Sequence, residues 1–219
     1  NRTETNPLAR NFSTLSLIRF ALPGMVMMLF MGLYTIADTL FVARFVNTDA
    51  LSAINIVCPV INLIVGLGTM LAAGGSAVIA AKMGNGKNEE ARRNFTLLVM
   101  AGAVLGLAVT AAGLLFMDEI ILGLGASRLL LPYCRDYLQI QLLFAVCSMM
   151  QVLYQNLFVT AGKPSLGLAL SVLAGTANLA LDYLFIVRLQ MGIAGAALGT
   201  GIGYLIPTLA GTAYFSFGR

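Results

Sequence analysis

Asp38 and Asp182 are the only acidic residues well inside long apolar runs of the sequence, and no Lys, Arg or His sits at a comparable position to neutralise them. A carboxylate in hydrocarbon is costly and is usually kept for a function. Without a basic partner it has two ways to lose its charge: take up a proton or bind a metal cation. Other oxygen-bearing residues recur near the same level. Asn178 precedes Asp182 by four residues, which puts both on one helix face. Tyr137 and Thr200 each fall a few residues into the apolar runs that would carry the chain back across the membrane. Two carboxylates, an amide, a hydroxyl and a phenol are hard oxygen donors. They suit a proton, or a sodium ion held by Asp38, Asn178, Asp182 and Thr200, and poorly suit a soft transition metal.

The elements that must carry these groups are membrane helices. Of 219 residues, 59% are apolar and only 10% charged, against about 25% charged in soluble domains. The mean hydropathy is +0.89. Such a chain is neither an ordinary soluble enzyme nor disordered. Six runs are long enough to span a bilayer: Phe20–Phe45, Leu51–Ala81, Phe95–Met117, Pro132–Ala161, Leu166–Val187 and Gly192–Phe217. They are too long, and alternate too little, for the strands of an outer-membrane barrel. Lys82–Arg93 is the clearest loop, and Asp118–Leu131 is a longer, half-apolar connection. The expected fold is an all-α, six-helix integral membrane unit, occupying 1–219 as a single lobe.

The basic residues orient it. With the amino terminus inside, Arg2, Arg10, Arg19, Lys82, Lys87, Arg92, Arg93, Lys163 and Arg219 fall on the inner side. Only Arg44, Arg128, Arg135 and Arg188 fall outside. Positive charge concentrates on the cytoplasmic side, so both termini are expected there. The net charge of +4 is a topology signal, not a nucleic-acid footprint, because no basic patch is interleaved with aromatics. Cys58, Cys134 and Cys147 form no C-x-x-C pair and read as apolar filler.

Two segments look alike. Asp38-Thr-Leu-Phe-Val-Ala-Arg44 aligns without a gap on Asp182-Tyr-Leu-Phe-Ile-Val-Arg188, and Ala50 and Ala53 then fall on Ala194 and Ala197. This suggests a parallel repeat of two hairpins. Each Asp precedes an outer-end Arg by six residues, about 9 Å of helix, so both acids lie at one depth. Smaller features are also read. Pro23 would remove a hydrogen bond and bend the first helix. Gly102-x-x-x-Gly106 and Gly199-x-Gly201-x-Gly203 permit close helix contact. Met31 and Tyr34, with Gln151, Gln155 and Asn156 on the fourth helix, are candidates to line an adaptable substrate cleft.

The chain resembles the amino-terminal lobe of the multidrug and toxic compound extrusion (MATE) family, in its bacterial DinF/NorM-like branches. The residues that carry the likeness are Pro23 with Asp38 fifteen positions on, the block Asn178-Leu-Ala-Leu-Asp182-Tyr-Leu-Phe-Ile, Thr200 and Tyr137, and the glycine-rich stretch from Gly74 to Lys87. The resemblance implies one lobe of a twelve-helix transporter of the cell (inner) membrane. It implies a proton- or sodium-coupled antiporter that exports bulky, often cationic aromatic compounds by alternating access. It further implies a cation site at Asp38, Asn178, Asp182, Thr200 and Tyr137. The expected partners are small organic molecules, membrane lipid and a missing carboxy-terminal lobe. Nucleic acid is not expected, nor any cofactor beyond the coupling ion. The chain is half the expected length, which reads as a fragment or a self-pairing half-transporter. Two other readings compete: a lipid-linked oligosaccharide flippase, which should place cationic residues in its cavity, and a channel- or receptor-like module. An enzyme is not expected, since the sequence has no His, nucleophile–base pair or cofactor motif.

Overall fold

The computed structural model describes residues 14–217, apart from some side chains within the first helix. Among the described residues every regular element is helical. They run α1 (Thr14–Phe45), α2 (Thr48–Gly84), α3 (Asn88–Leu115), α4 (Met117–Gly123), α5 (Leu131–Leu143), α6 (Ala145–Thr160) and α7 (Pro164–Asp182). A π-helical turn (Tyr183–Arg188) and α8 (Gly192–Phe217) complete the order. Five of the helical spans are long and apolar enough to cross a membrane by themselves, and α5 with α6 makes a sixth. The chain is an all-α integral membrane protein.

The sequence predicts one helix over Pro132–Ala161. The structure breaks it at Phe144, where α5 and α6 meet at 52°. No Pro or Gly lies near the break. Thr110 of α3 donates its hydroxyl to the Leu142 carbonyl (2.7 Å), in the last turn of α5 where helical partners run out. A side chain from a neighbouring helix that meets such a carbonyl lets a kink persist without proline. Thr208 of α8 lies beside the break as well, between the Cys147 carbonyl (3.0 Å) and the Tyr204 carbonyl of its own helix (2.8 Å). Two further differences are local. The Asp118–Leu131 connection contains α4, tied to α5 by the forked Arg135–Asp118 ion pair. The Lys82–Arg93 loop shrinks to residues 85–87, because α2 and α3 run into it. There Glu90 pairs with both Lys82 and Lys87, and Gly86 takes φ +74° to turn the chain.

In the packing, α6 is central, flanked by α2, α3 and α8, while α7 lies on α8 and carries α1 on its other side. The apolar core has two centres. One gathers Val42, Val57, Ile121, Leu138 and Ala197; the other gathers Ala72, Leu98, Leu153 and Phe158. In a bilayer, apolar side chains gain little by leaving lipid, so close approach at small residues supplies much of the helix association. Gly106 is the sharpest case: a Cβ there would lie 2.9 Å from the Cα of Val146 on α6. Backbone cannot swing aside as a side-chain tip can. Gly106→Ala is therefore expected to destabilise the purified protein by about 1–3 kcal/mol, read as a lower thermal midpoint in detergent. Gly66→Ala, whose Cβ meets nothing within 4 Å, should leave that midpoint unchanged or raise it.

Candidate functional site

Asp38 sits on α1, one turn before Val42 in the core, and Asp182 is the last residue of α7. Asp182 is fully buried, and Asn178, one turn earlier on the same face, is 2% exposed. The Asp38 and Asp182 side chains lie near enough to interact electrostatically. Thr200, on α8, accepts from the Asn178 amide at 3.4 Å and donates to the Ala196 carbonyl at 3.1 Å. Tyr137 of α5 is buried and close enough to sense the Asp38 charge. Four elements thus bring together the five residues singled out from the sequence.

The pairing of their atoms is lopsided. Among the described residues, the buried side-chain N and O atoms without a hydrogen-bond partner are Asp38 Oδ1, Gln151 Oε1, Asn178 Oδ1 and both oxygens of Asp182. All five are acceptors. Buried polar groups in native proteins are normally satisfied, and a hydrogen-bond donor, a proton or a cation would each satisfy these oxygens. The ion pairs among the described residues join Lys82 and Lys87 to Glu90, and Arg135 to Asp118. None involves either intramembrane acid. Hard oxygens of this kind fit a proton or an alkali cation.

Next to the acids lies a cavity of about 190 Å³ between α1, α2, α6, α7 and α8. Asn178 and Thr200 form part of its wall, so they belong to both the acid cluster and the cavity. Of the residues proposed for a substrate cleft, Tyr34, Gln151 and Gln155 line it. Gln155 donates to Ser171 (2.9 Å), which donates in turn to the Gly167 carbonyl (2.9 Å). Asn156 does not line it; its amide turns back to the Val152 carbonyl on its own helix. The side chains of Pro23 and Met31 lie outside the described residues.

Sequence reasoning missed Tyr204, Ser148 and Ser171, which also line the cavity. Tyr204 is one turn beyond Thr200 and close enough to sense Asp38. The i,i+4 spacing from Thr200 was the available signal. The two hairpins suggested by sequence also differ. After Asp38 the α-helix continues to Phe45, whereas after Asp182 the backbone widens into the π-helical turn. Such turns occur frequently at functional sites.

A family model described as MatE matches residues 23–184. Among curated relatives, the multidrug export protein MepA of Staphylococcus haemolyticus (strain JCSC1435) is 28% identical over 201 residues, covering 92% of this chain and 44% of that protein. The chain thus spans about half the length of the curated relatives it matches. A crystal structure of MATE in complex with MaD5 superposes with a TM-score of 0.91 at 23% identity, covering all of this chain and 50% of that one. An outward-facing multidrug resistance MATE family transporter of the MOP superfamily superposes with a TM-score of 0.85 at 24% identity, covering 90% and 44%. At these identities the superpositions speak for the fold.

A cluster of acceptors lacking donors should be relieved by an amide. Asp38→Asn and Asp182→Asn are each expected to raise the thermal midpoint of the purified protein in sodium-free buffer at alkaline pH, by the equivalent of about 1–3 kcal/mol. A drop in the midpoint for both would mean that the acids are satisfied in the fold.

Proposed function

The chain belongs to the MatE family, and on that premise we propose that it is the amino-terminal lobe of a cation-coupled exporter of bulky organic compounds. Protons or sodium ions entering from outside drive the export. A second, carboxy-terminal lobe completes the substrate path, and both termini of this lobe face the cytoplasm. The observation that carries the reading is the group of five donorless acceptors at Asp38, Gln151, Asn178 and Asp182. The cavity beside them supports a substrate role for the same region. Its described lining is Tyr, Gln, Ser, Asn, Thr and small apolar residues, without Lys or Arg. That lining suits neutral or cationic aromatic compounds better than the pyrophosphate of a lipid-linked sugar.

Coupling requires ion and drug to bias one conformational equilibrium in opposite directions. Asn178 and Thr200 are placed to do this, since each touches the acid cluster and the cavity wall. An ion held by Asp38 and Asp182 draws the Asn178 carbonyl toward it and lets α1, α7 and α8 close on the neutralised pair. The cavity narrows and drug is released. With the ion gone, the charged acids hold these helices apart and the cavity admits drug again.

The test is transport by the full-length protein in vesicles under separately imposed proton and sodium gradients. One of the two gradients should drive efflux. Asp38→Asn and Asp182→Asn should each abolish gradient-driven efflux at normal membrane levels. Full coupled efflux by both variants would overturn the reading and place the driving ion elsewhere in the protein.

A further inference from the structure

Each of the three glycines in Gly199-x-Gly201-x-Gly203 meets something different. A Cβ on Gly201 would run into the Phe144 ring at the α5–α6 break, and a Cβ on Gly203 would sit at an ordinary 3.4 Å from the Cβ of Asn178. A Cβ on Gly199 would collide with Oδ1 of Asp182. The carboxylate it would strike is fully buried, and both its oxygens lack a hydrogen-bond partner. The missing side chain at Gly199 is thus what leaves room for the Asp182 carboxyl on the α8 side.

We propose that Gly199 is a positioning residue for the coupling ion: its bare backbone lets the Asp182 carboxyl stay turned toward Asp38. This rests on the reading of Asp38 and Asp182 as the ion site. The backbone around the contact is held in place. One turn earlier on α8, a Cβ on Gly195 would already lie 3.1 Å from the Phe185 carbonyl carbon in the π-helical turn. At the next residue of α8, Thr200 accepts from Asn178 and ties α7 to α8. A methyl group at Gly199 therefore acts on the mobile atom, the carboxylate oxygen. An Asp side chain has two torsions, and the rotation that clears a methyl moves the oxygens from their present place against α8. The groups that sense this acid pair are Tyr34 of α1, Tyr137 of α5 and, through Asp38, Tyr204 of α8. None is basic, so none substitutes for a displaced carboxylate in neutralising a cation.

The experiment compares Gly199→Ala with Gly167→Ala in the full-length protein reconstituted in vesicles. Gly167 is a buried position on α7 whose Cβ would make an ordinary 3.7 Å contact with Phe158. Gly199→Ala should raise the half-activating concentration of the driving ion, proton or sodium, by about tenfold or more, with the drug KM at saturating ion unchanged. Gly167→Ala should move neither. A purely structural defect lowers the amount of active transporter and leaves the half-activating concentration alone, and that result would overturn the proposal. Thermal unfolding adds a readout independent of transport. In an Asp182→Ala background the collision partner is gone, so Gly199→Ala should cost less stability there than in the wild type, and should fold there even if it fails alone. Equal cost in both backgrounds would also overturn the proposal. If Asp182→Asn retains coupled efflux, the ion-site reading itself falls. If Asp182→Asn is inactive while Gly199→Ala keeps the wild-type ion dependence, only the role of Gly199 falls.

Discussion

Two carboxylates close together inside a membrane protein, with no ion pair to either among the described residues, set the terms for the structure around them. In water, two such groups repel weakly and are well solvated. In a low-dielectric interior each needs a proton, a cation or hydrogen-bond donors. Among the described residues, Asn178 Oδ1, one turn from Asp182, and Gln151 Oε1, in the adjoining cavity wall, also lack a donor. A positive charge, a proton or a donor placed among them would relieve the cost of burying these oxygens.

The helix packing follows from holding that pair. Asp182 closes α7 and opens the π-helical turn, Asp38 reaches it from α1, and α8 lies against both through small residues. On the far side, α6 forms the floor of the adjoining cavity with Ser148, Gln151 and Gln155. The break between α5 and α6 tilts α6 away from the line of α5, and Thr110 takes up the Leu142 carbonyl in the last turn of α5. Asn178 and Thr200 stand between acid pair and cavity. The Asn178–Thr200 hydrogen bond joins α7 to α8 at the cavity wall, one turn along α7 from Asp182.

Much of this was legible in the sequence because lipid imposes a simple code. Long apolar runs must be helices, and an acid within one stands out. The ends of α1 and α8 at Phe45 and Phe217 fall where the runs end. The i,i+4 spacing of Asn178 and Asp182 and the shared depth of Asp38 with Asp182 pointed to one cluster, and the structure brings those residues together. What was not legible depends on tertiary contacts. The break at Phe144 has no local signature, since the hydroxyl that meets its Leu142 carbonyl belongs to Thr110, 34 residues before it. The π-helical turn was masked because residues 182–188 read much like 38–44, which form regular α-helix. Asn156 reads like Gln155 in sequence, yet one residue of rotation takes it off the cavity. Tyr204 was overlooked because a tyrosine in an apolar run reads as packing.

The most direct measurement is the infrared difference spectrum of the purified full-length protein between its ion-free and ion-loaded states, in the carboxylic-acid stretching region. If Asp38 and Asp182 act as one site, a single carboxyl event accompanies ion binding, and Asp38→Asn and Asp182→Asn each remove or shift all of it. Two separate carboxyl bands, each surviving unchanged when the other acid is replaced, would show two independent groups and contradict a shared site.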